Sequence, residues 1–152
     1  MSRRTSLAAA LIASAAVAAC ASTPEPAQIA RGTMKPYVVR GVRYVPREDP
    51  HYKEVGMASW YGPQHQGRRT ADGEVFDMNE PSAAHRTLPL PSMVEVKNLD
   101  NGRTIKVRVN DRGPFNQDRI IDLSRAAAEE LGFVGKGLAR VRVRYLGPAP
   151  RS

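Results

Sequence analysis

Cysteine, tryptophan and histidine are scarce in this sequence of 152 residues, which holds one Cys, one Trp and three His. A single cysteine, Cys20, excludes an intrachain disulfide and any cysteine-based metal cluster. His51, His65 and His85 lack the paired spacing of a histidine metal site, so no metal or other cofactor is expected. The longest apolar run, Leu7 to Ala19 with Ser14 its only hydroxyl, is 13 residues long. A bilayer core takes about 20 residues, so this run is too short to span one. Acidic residues are in deficit as well, 15 Asp and Glu against 23 Lys and Arg, for a formal charge of +8.

The short run fits export. Arg3 and Arg4 form a cationic head, the apolar segment follows, and Val17-Ala18-Ala19 leads directly into Cys20. This looks like a lipoprotein signal peptide, in which small residues precede a cysteine that is lipidated and becomes the new N-terminus. Acylation also explains a lone cysteine in an exported chain. Removing residues 1–19 takes away Arg3 and Arg4, leaving 21 basic against 15 acidic residues and a charge of +6. In an exported chain that excess meets anionic wall polymers and head groups, and nucleic acid is not an expected partner. The remaining 133 residues or so suit one domain.

Residues 20–35 read as a lipidated tether, because Ser22-Thr23-Pro24-Glu25-Pro26 has two prolines and no apolar period. Residues 36–55 read as an N-terminal arm, with two β-prone runs flanking Gly41. Beyond them, Val94, Val96 and Asn98 alternate with Glu95 and Lys97, and Ile105, Val107 and Val109 alternate with Lys106, Arg108 and Asn110. Period two predicts strands with one buried face. Asn101-Gly102 between them predicts a tight antiparallel hairpin. Ala139, Val141, Val143 and Tyr145 repeat the pattern against Arg140, Arg142 and Arg144. One helix is predicted from about Ser124, a good N-cap, to Leu131, with Gly132 ending it. Short strands, several turns and one helix make a small β-barrel.

Candidate acids and bases fall at turn-like positions of that barrel. Asp111 stands just past a strand, before Arg112-Gly113-Pro114, where it either faces a groove or caps the turn's amides. Asp122, between Ile121 and Leu123, competes with a helix-capping role. Glu74 and Asp77 follow the Asp72-Gly73 turn, and their odd spacing requires a bend near Phe76 if both are to line one groove. His85 could act in chemistry or simply hydrogen-bond a loop. Trp60 and Tyr61 could stack on sugars or pack in the core. Thr70 could hold a sugar hydroxyl or cap its own turn, and Arg112 completes the set of candidate binding residues.

Five blocks carry these residues: Ala58-Ser59-Trp60-Tyr61-Gly62, Gly67 through Asp77, Ala84-His85-Arg86-Thr87-Leu88-Pro89, Val109 through Pro114, and Ile121-Asp122-Leu123-Ser124. In this order and at these separations they resemble the rare lipoprotein A (RlpA) family of cell-wall lytic transglycosylases. The resemblance implies a mostly β fold: a six-stranded double-psi β-barrel with one short helix over residues 56–147, after a signal peptide, a flexible tether and a short β arm, with residues 148–152 as a tail. It also implies an endolytic lytic transglycosylase, a carbon–oxygen lyase that needs no cofactor. Such an enzyme cuts the bond between N-acetylmuramic acid and N-acetylglucosamine in peptidoglycan, preferring peptide-free strands and leaving 1,6-anhydro ends. Glu74, Asp77, His85 and Asp111 match positions treated in the family as active-site residues, and the Asp-Leu-Ser setting of Asp122 resembles that of the essential aspartate in expansins. Asp111 or Glu74 is the expected proton donor, with Asp122 next, while Asp77 and His85 tune it. Ala21, standing where an aspartate would favour inner-membrane retention, implies lipid anchoring at Cys20 on the periplasmic face of the outer membrane. The repeat domain that directs larger members to septal wall is not expected in this chain. The alternative is a non-catalytic, expansin-like lipoprotein that binds wall glycan.

Overall fold

The computed structural model describes residues 29 and 31–150. The expected signal peptide, Cys20 and most of the expected tether lie outside the described residues. Arg31–Met34 form a 3-10 turn. Thr33 Oγ1 donates to the Leu90 carbonyl at 3.3 Å, and the Thr33 carbonyl accepts from Arg112 Nη2 at 2.7 Å. These residues, assigned to the tether from sequence, are therefore docked on the barrel. Strands β1 (Tyr37–Val39) and β2 (Val42–Tyr44) pair antiparallel with Val39 opposite Val42. The intervening Arg40 and Gly41 have φ of 50° and 79°, the double positive φ of a type I′ hairpin turn.

The barrel is built from β3 (Lys53–Tyr61), β4 (Ser82–Ala84), β5 (Ser92–Asn98), β6 (Thr104–Asp111), β7 (Arg119–Ser124) and β8 (Leu138–Pro148). It closes in the order β3-β7-β4-β6-β5-β8, with β3–β7 and β4–β6 parallel and the other four pairs antiparallel. This is the six-stranded double-psi barrel that the sequence led us to expect. It begins three residues earlier than expected, because Lys53 already pairs with Arg144 of β8. Closure leaves the barrel itself without an edge strand, and the alternating residues fill the interior: Val94, Val96, Val107, Val109, Val141 and Val143 are all fully buried.

Helix α1 (Arg125–Leu131) is capped as its sequence dictates. Ser124 Oγ accepts from the Ala127 amide, and Gly132, at φ 75°, lets Phe133 N bond the Ala128 carbonyl. The β5–β6 turn is wider than the tight hairpin expected. Asn98 and Arg103 still pair, and only Gly102, at φ 77°, is left-handed. The Asn101 and Asn98 amides instead reach across to bond the Leu131 carbonyl at 2.8 and 3.0 Å, closing the helix's C-terminus.

Two register shifts aim side chains at the working end of the barrel. Between β4 and β6, Ala83 faces Val109 but Ala84 faces Asp111, so Asn110 is an extra residue in the ladder. A bulge of this kind bends its strand and re-aims the next side chain. Between β3 and β7, Ile120 is skipped in the same way.

Candidate active site

The hairpin-like loop from Gly67 to Phe76 lies across the end of β6. Gly67 N bonds the Phe76 carbonyl and Phe76 N bonds the Arg68 carbonyl, at 2.9 and 2.8 Å. At the loop tip the Ala71 amide donates to Asp111 Oδ1 at 2.9 Å, and the Asp72 amide donates to the Asn110 carbonyl at 3.3 Å. Thr70 Oγ1 donates to Asp72 Oδ1 and to the Glu74 carbonyl, which makes Thr70, 6% exposed, a brace of this loop. Asp72 through Val75 of this loop line one cavity, and Asp111, to which its tip bonds, lines a second.

The larger, of about 670 Å³, is lined by Asp72, Glu74, Asp77, Glu80, Ser82, Arg108 and Asn110 among others. Glu74 and Asp77 thus share a cavity, as the expected bend requires. Both are held as partners of other groups. Arg108 grips Glu74 through Nε and Nη2, and Asn110 Nδ2 adds a third bond at 2.9 Å. Asp77 Oδ1 accepts from the Asn79 amide and from the Asn79 and Gln66 side chains, which holds its carboxyl below the usual carboxylate range. Asp72, which the sequence did not single out, is pushed upward by burial, and its Oδ2 is buried without a hydrogen bond.

The smaller cavity, of about 310 Å³, brings together Tyr61, His65, Asp111, Arg112, Phe115, Arg119, Asp122 and the arm residue Arg40. Here the two remaining acids meet. Asp122 sits in β7, and the capping role belongs to Ser124. Ser59 Oγ and Arg119 Nε both bond Asp122 Oδ1, at 2.7 and 2.9 Å, and Arg119 Nη2 reaches Oδ2 at 3.4 Å. A carboxylate held by a guanidinium on both oxygens supplies negative charge. Asp111 is different. Its Oδ1 accepts from the Ala71 and Arg112 amides, while among the described residues Oδ2 has no protein partner and is not buried. No cation pairs with it, and desolvation outweighs the two amide bonds, raising its carboxyl above the ordinary range. Tyr61 lines the same cavity with its hydroxyl buried and unpartnered, and its ring packs at a tilt on Phe76, with centroids 4.5 Å apart.

Three expected site residues turn away from both cavities or arrive already committed. His85 borders neither and is 3% exposed. Its Nδ1 accepts from the Thr87 and Leu88 amides, so the proton sits on Nε2, which donates to the Tyr52 hydroxyl at 2.9 Å. Tyr52 in turn donates to Glu54 at 2.7 Å. Burial drives the His85 ring down to a pKa of about 3, so it is a neutral brace rather than a group that meets sugar. Trp60 packs on the core and donates Nε1 to the Val134 carbonyl at 3.3 Å, whereas Tyr61 lines the smaller cavity. Arg112 lines the smaller cavity, but Nη1 bonds the His85 and Leu88 carbonyls and Nη2 bonds that of Thr33.

Residues 53–143 match a family model described as lytic transglycolase. Over 114 residues the chain is 55% identical to the endolytic peptidoglycan transglycosylase RlpA of Pseudomonas aeruginosa, covering 74% of this chain and 33% of that one. It is 51% identical over 113 residues to the protein of the same name from Neisseria meningitidis, covering 74% and 47% respectively. The chain therefore spans about a third to a half of the length of these curated relatives. Among solved structures, the Streptomyces papain inhibitor superposes with a TM-score of 0.55 at 26% identity, covering 66% of this chain and 99% of that one. An expansin from Clavibacter michiganensis shares the fold at 18% identity and a TM-score of 0.50, over 66% and 53%.

Proposed function

The chain belongs to the rare lipoprotein A (RlpA) family of lytic transglycolases, and on that premise we propose that it cleaves peptidoglycan between N-acetylmuramic acid and N-acetylglucosamine in the smaller cavity, with Asp111 as its proton donor. The observation carrying this reading is the state of Asp111: a desolvated carboxyl, raised above its ordinary range, with Oδ2 open and no salt bridge among the described residues. Such a group keeps a proton closer to neutral pH and can deliver it. Protonation of the glycosidic oxygen breaks its bond to the anomeric carbon of the muramic unit. That unit's own 6-hydroxyl oxygen then bonds the same carbon while its proton returns to the Asp111 carboxylate, leaving a 1,6-anhydro ring and restoring the acid. No attacking water is required, so one carboxyl serves both steps.

Asp122, fixed by Ser59 and Arg119, offers negative charge to the positive character that develops at the anomeric carbon. Glu74 and Asp77 act across the loop as acceptors for sugar hydroxyls in the larger cavity. The preferred substrate is peptide-free glycan. Cys20 carries the lipid that anchors the chain to the periplasmic face of the outer membrane, a reading supported by Val17-Ala18-Ala19 before it and Ala21 after it.

A second reading, a binder that holds wall glycan without cutting it, draws support from Glu74 and Asp122 already being committed to arginines. Incubating the purified protein with peptide-free glycan separates the two. Anhydro-muramic ends detected by mass spectrometry support the enzyme, whereas glycan retained on the protein with no such ends supports the binder.

A further inference from the structure

The smaller cavity holds a positive charge that the proposed chemistry does not use. Three arginines line it. Arg112 spends its donors on three backbone carbonyls and Arg119 spends its own on Asp122. Arg40, at the tip of the β1–β2 arm, makes no hydrogen bond or ion pair among the described residues. Its backbone is also unusual. Arg40 is the one non-glycine residue of positive φ among the described residues, at a turn position that asparagine, aspartate or glycine normally fills. A residue that breaks a local rule without local compensation marks a functional position.

The arm that carries Arg40 is fixed in place. Tyr37 stacks on Tyr44 at 5.2 Å, Tyr44 packs on Phe115 at 5.7 Å, Tyr37 donates to the Arg86 carbonyl at 2.7 Å, and Gln117 donates to the Tyr44 hydroxyl at 2.7 Å. Phe115 and Arg40 both line the cavity, so the arm forms one of its walls and its fixed backbone brings the exposed Arg40 side chain to it.

We propose that Arg40 is a specificity-determining residue that binds the free lactyl carboxylate of the muramic unit seated beside Asp111. This rests on the reading of Asp111 above. The muramic unit must sit in this cavity, because its own anomeric carbon and 6-hydroxyl are the reacting groups. Its lactyl carboxylate is the anion that a peptide-free glycan strand offers. Arg119 is paired with Asp122 and Arg112 with backbone carbonyls, so Arg40 is the arginine of this lining left to meet that anion, and a guanidinium fits a carboxylate through two parallel hydrogen bonds. When a stem peptide is attached the same carbon is an amide, with no charge to pair. Arg40 thereby favours stripped glycan at the step of binding.

The test compares full-length wild type, Arg40→Asn and Arg40→Lys on peptide-free glycan and on the same glycan with its lactyl carboxylates converted to methylamides. Asparagine suits the I′ turn, so the arm keeps its shape. Wild type should bind and cut the carboxylate form better. Arg40→Asn should lose about three- to tenfold of that discrimination, the effect of one partly exposed ion pair. Arg40→Lys should keep part of it, and salt should weaken it in wild type. Equal discrimination by wild type and Arg40→Asn, in affinity and in rate, overturns the role of Arg40. Absence of anhydro ends from either glycan with wild type contradicts the Asp111 reading instead, and the affinities of the three proteins still decide on Arg40.

Discussion

His85 Nε2 and the Tyr52 hydroxyl lie 2.9 Å apart in a part of the barrel that borders neither cavity. The pair ties the start of β3 to the chain that follows β4, while the other ring nitrogen of His85 collects the Thr87 and Leu88 amides. His85, a candidate for chemistry on sequence grounds, is thus held as a buried brace outside both cavities.

Substituting His85 with alanine should destabilise the fold by about 3 kcal/mol, because two backbone amides and a tyrosine hydroxyl lose a buried partner. Activity per folded molecule should fall far less than stability. Urea unfolding alongside a titration of active molecules checks both.

The same histidine gives the fold a pH dependence. Its folded pKa, about 3, is depressed below the ordinary value of 6.5, so its contribution is fully present above pH 6.5 and is lost as pH falls toward 3. Between pH 7 and pH 5 this group should cost about 2 kcal/mol of stability. Asp111 works in the opposite sense, since a raised carboxyl favours the folded state as pH falls. Unfolding curves at the two pH values, in wild type and in His85→Gln, check the slope; it should be shallower in the variant.

Glu74→Gln removes the partner of a half-buried guanidinium, Arg108, and should cost about 2 kcal/mol of stability. Asp111→Asn should cost little or even stabilise at pH 7, since asparagine can still accept the Ala71 and Arg112 amides without a desolvated charge. Thermal unfolding of the two variants should separate them clearly.

Gly56→Ala tests the barrel. A Cβ there would come 2.6 Å from Ile120 Cγ2, at the bulge where β3 passes β7, and Ile120 is branched and 6% exposed. The expected loss is about 1–3 kcal/mol, read from the urea midpoint.

Much of this architecture was legible in the chain. Val94 through Asn98, Ile105 through Val109 and Ala139 through Tyr145 declared their buried faces by alternation, and Ser124 and Gly132 declared both ends of the helix. Local pattern could not give the parallel pairings. Ser59 meets Asp122 across 63 residues and Tyr52 meets His85 across 33, and no nearby residue signals either contact. The split of the acids between two cavities follows from the Asn110 bulge and from a loop that docks on Asp111 through backbone amides, which carry no side-chain signature. The same is true of Asp72, whose Oδ2 is left without a partner by the way the loop folds. Arg40 alone left a local sign, an arginine before glycine where a turn prefers asparagine.

The central claim is that Asp111 supplies the proton, and the initial rate of anhydro-muramic end formation tests it most directly. In parallel digests of peptide-free glycan by wild type, Asp111→Asn and Glu74→Gln, each corrected for its folded fraction, Asp111→Asn should slow the reaction about a hundredfold or more while Glu74→Gln keeps a larger share of the rate. Wild-type rates from Asp111→Asn, with cleavage abolished in Glu74→Gln, would contradict the account and move the chemistry to the larger cavity.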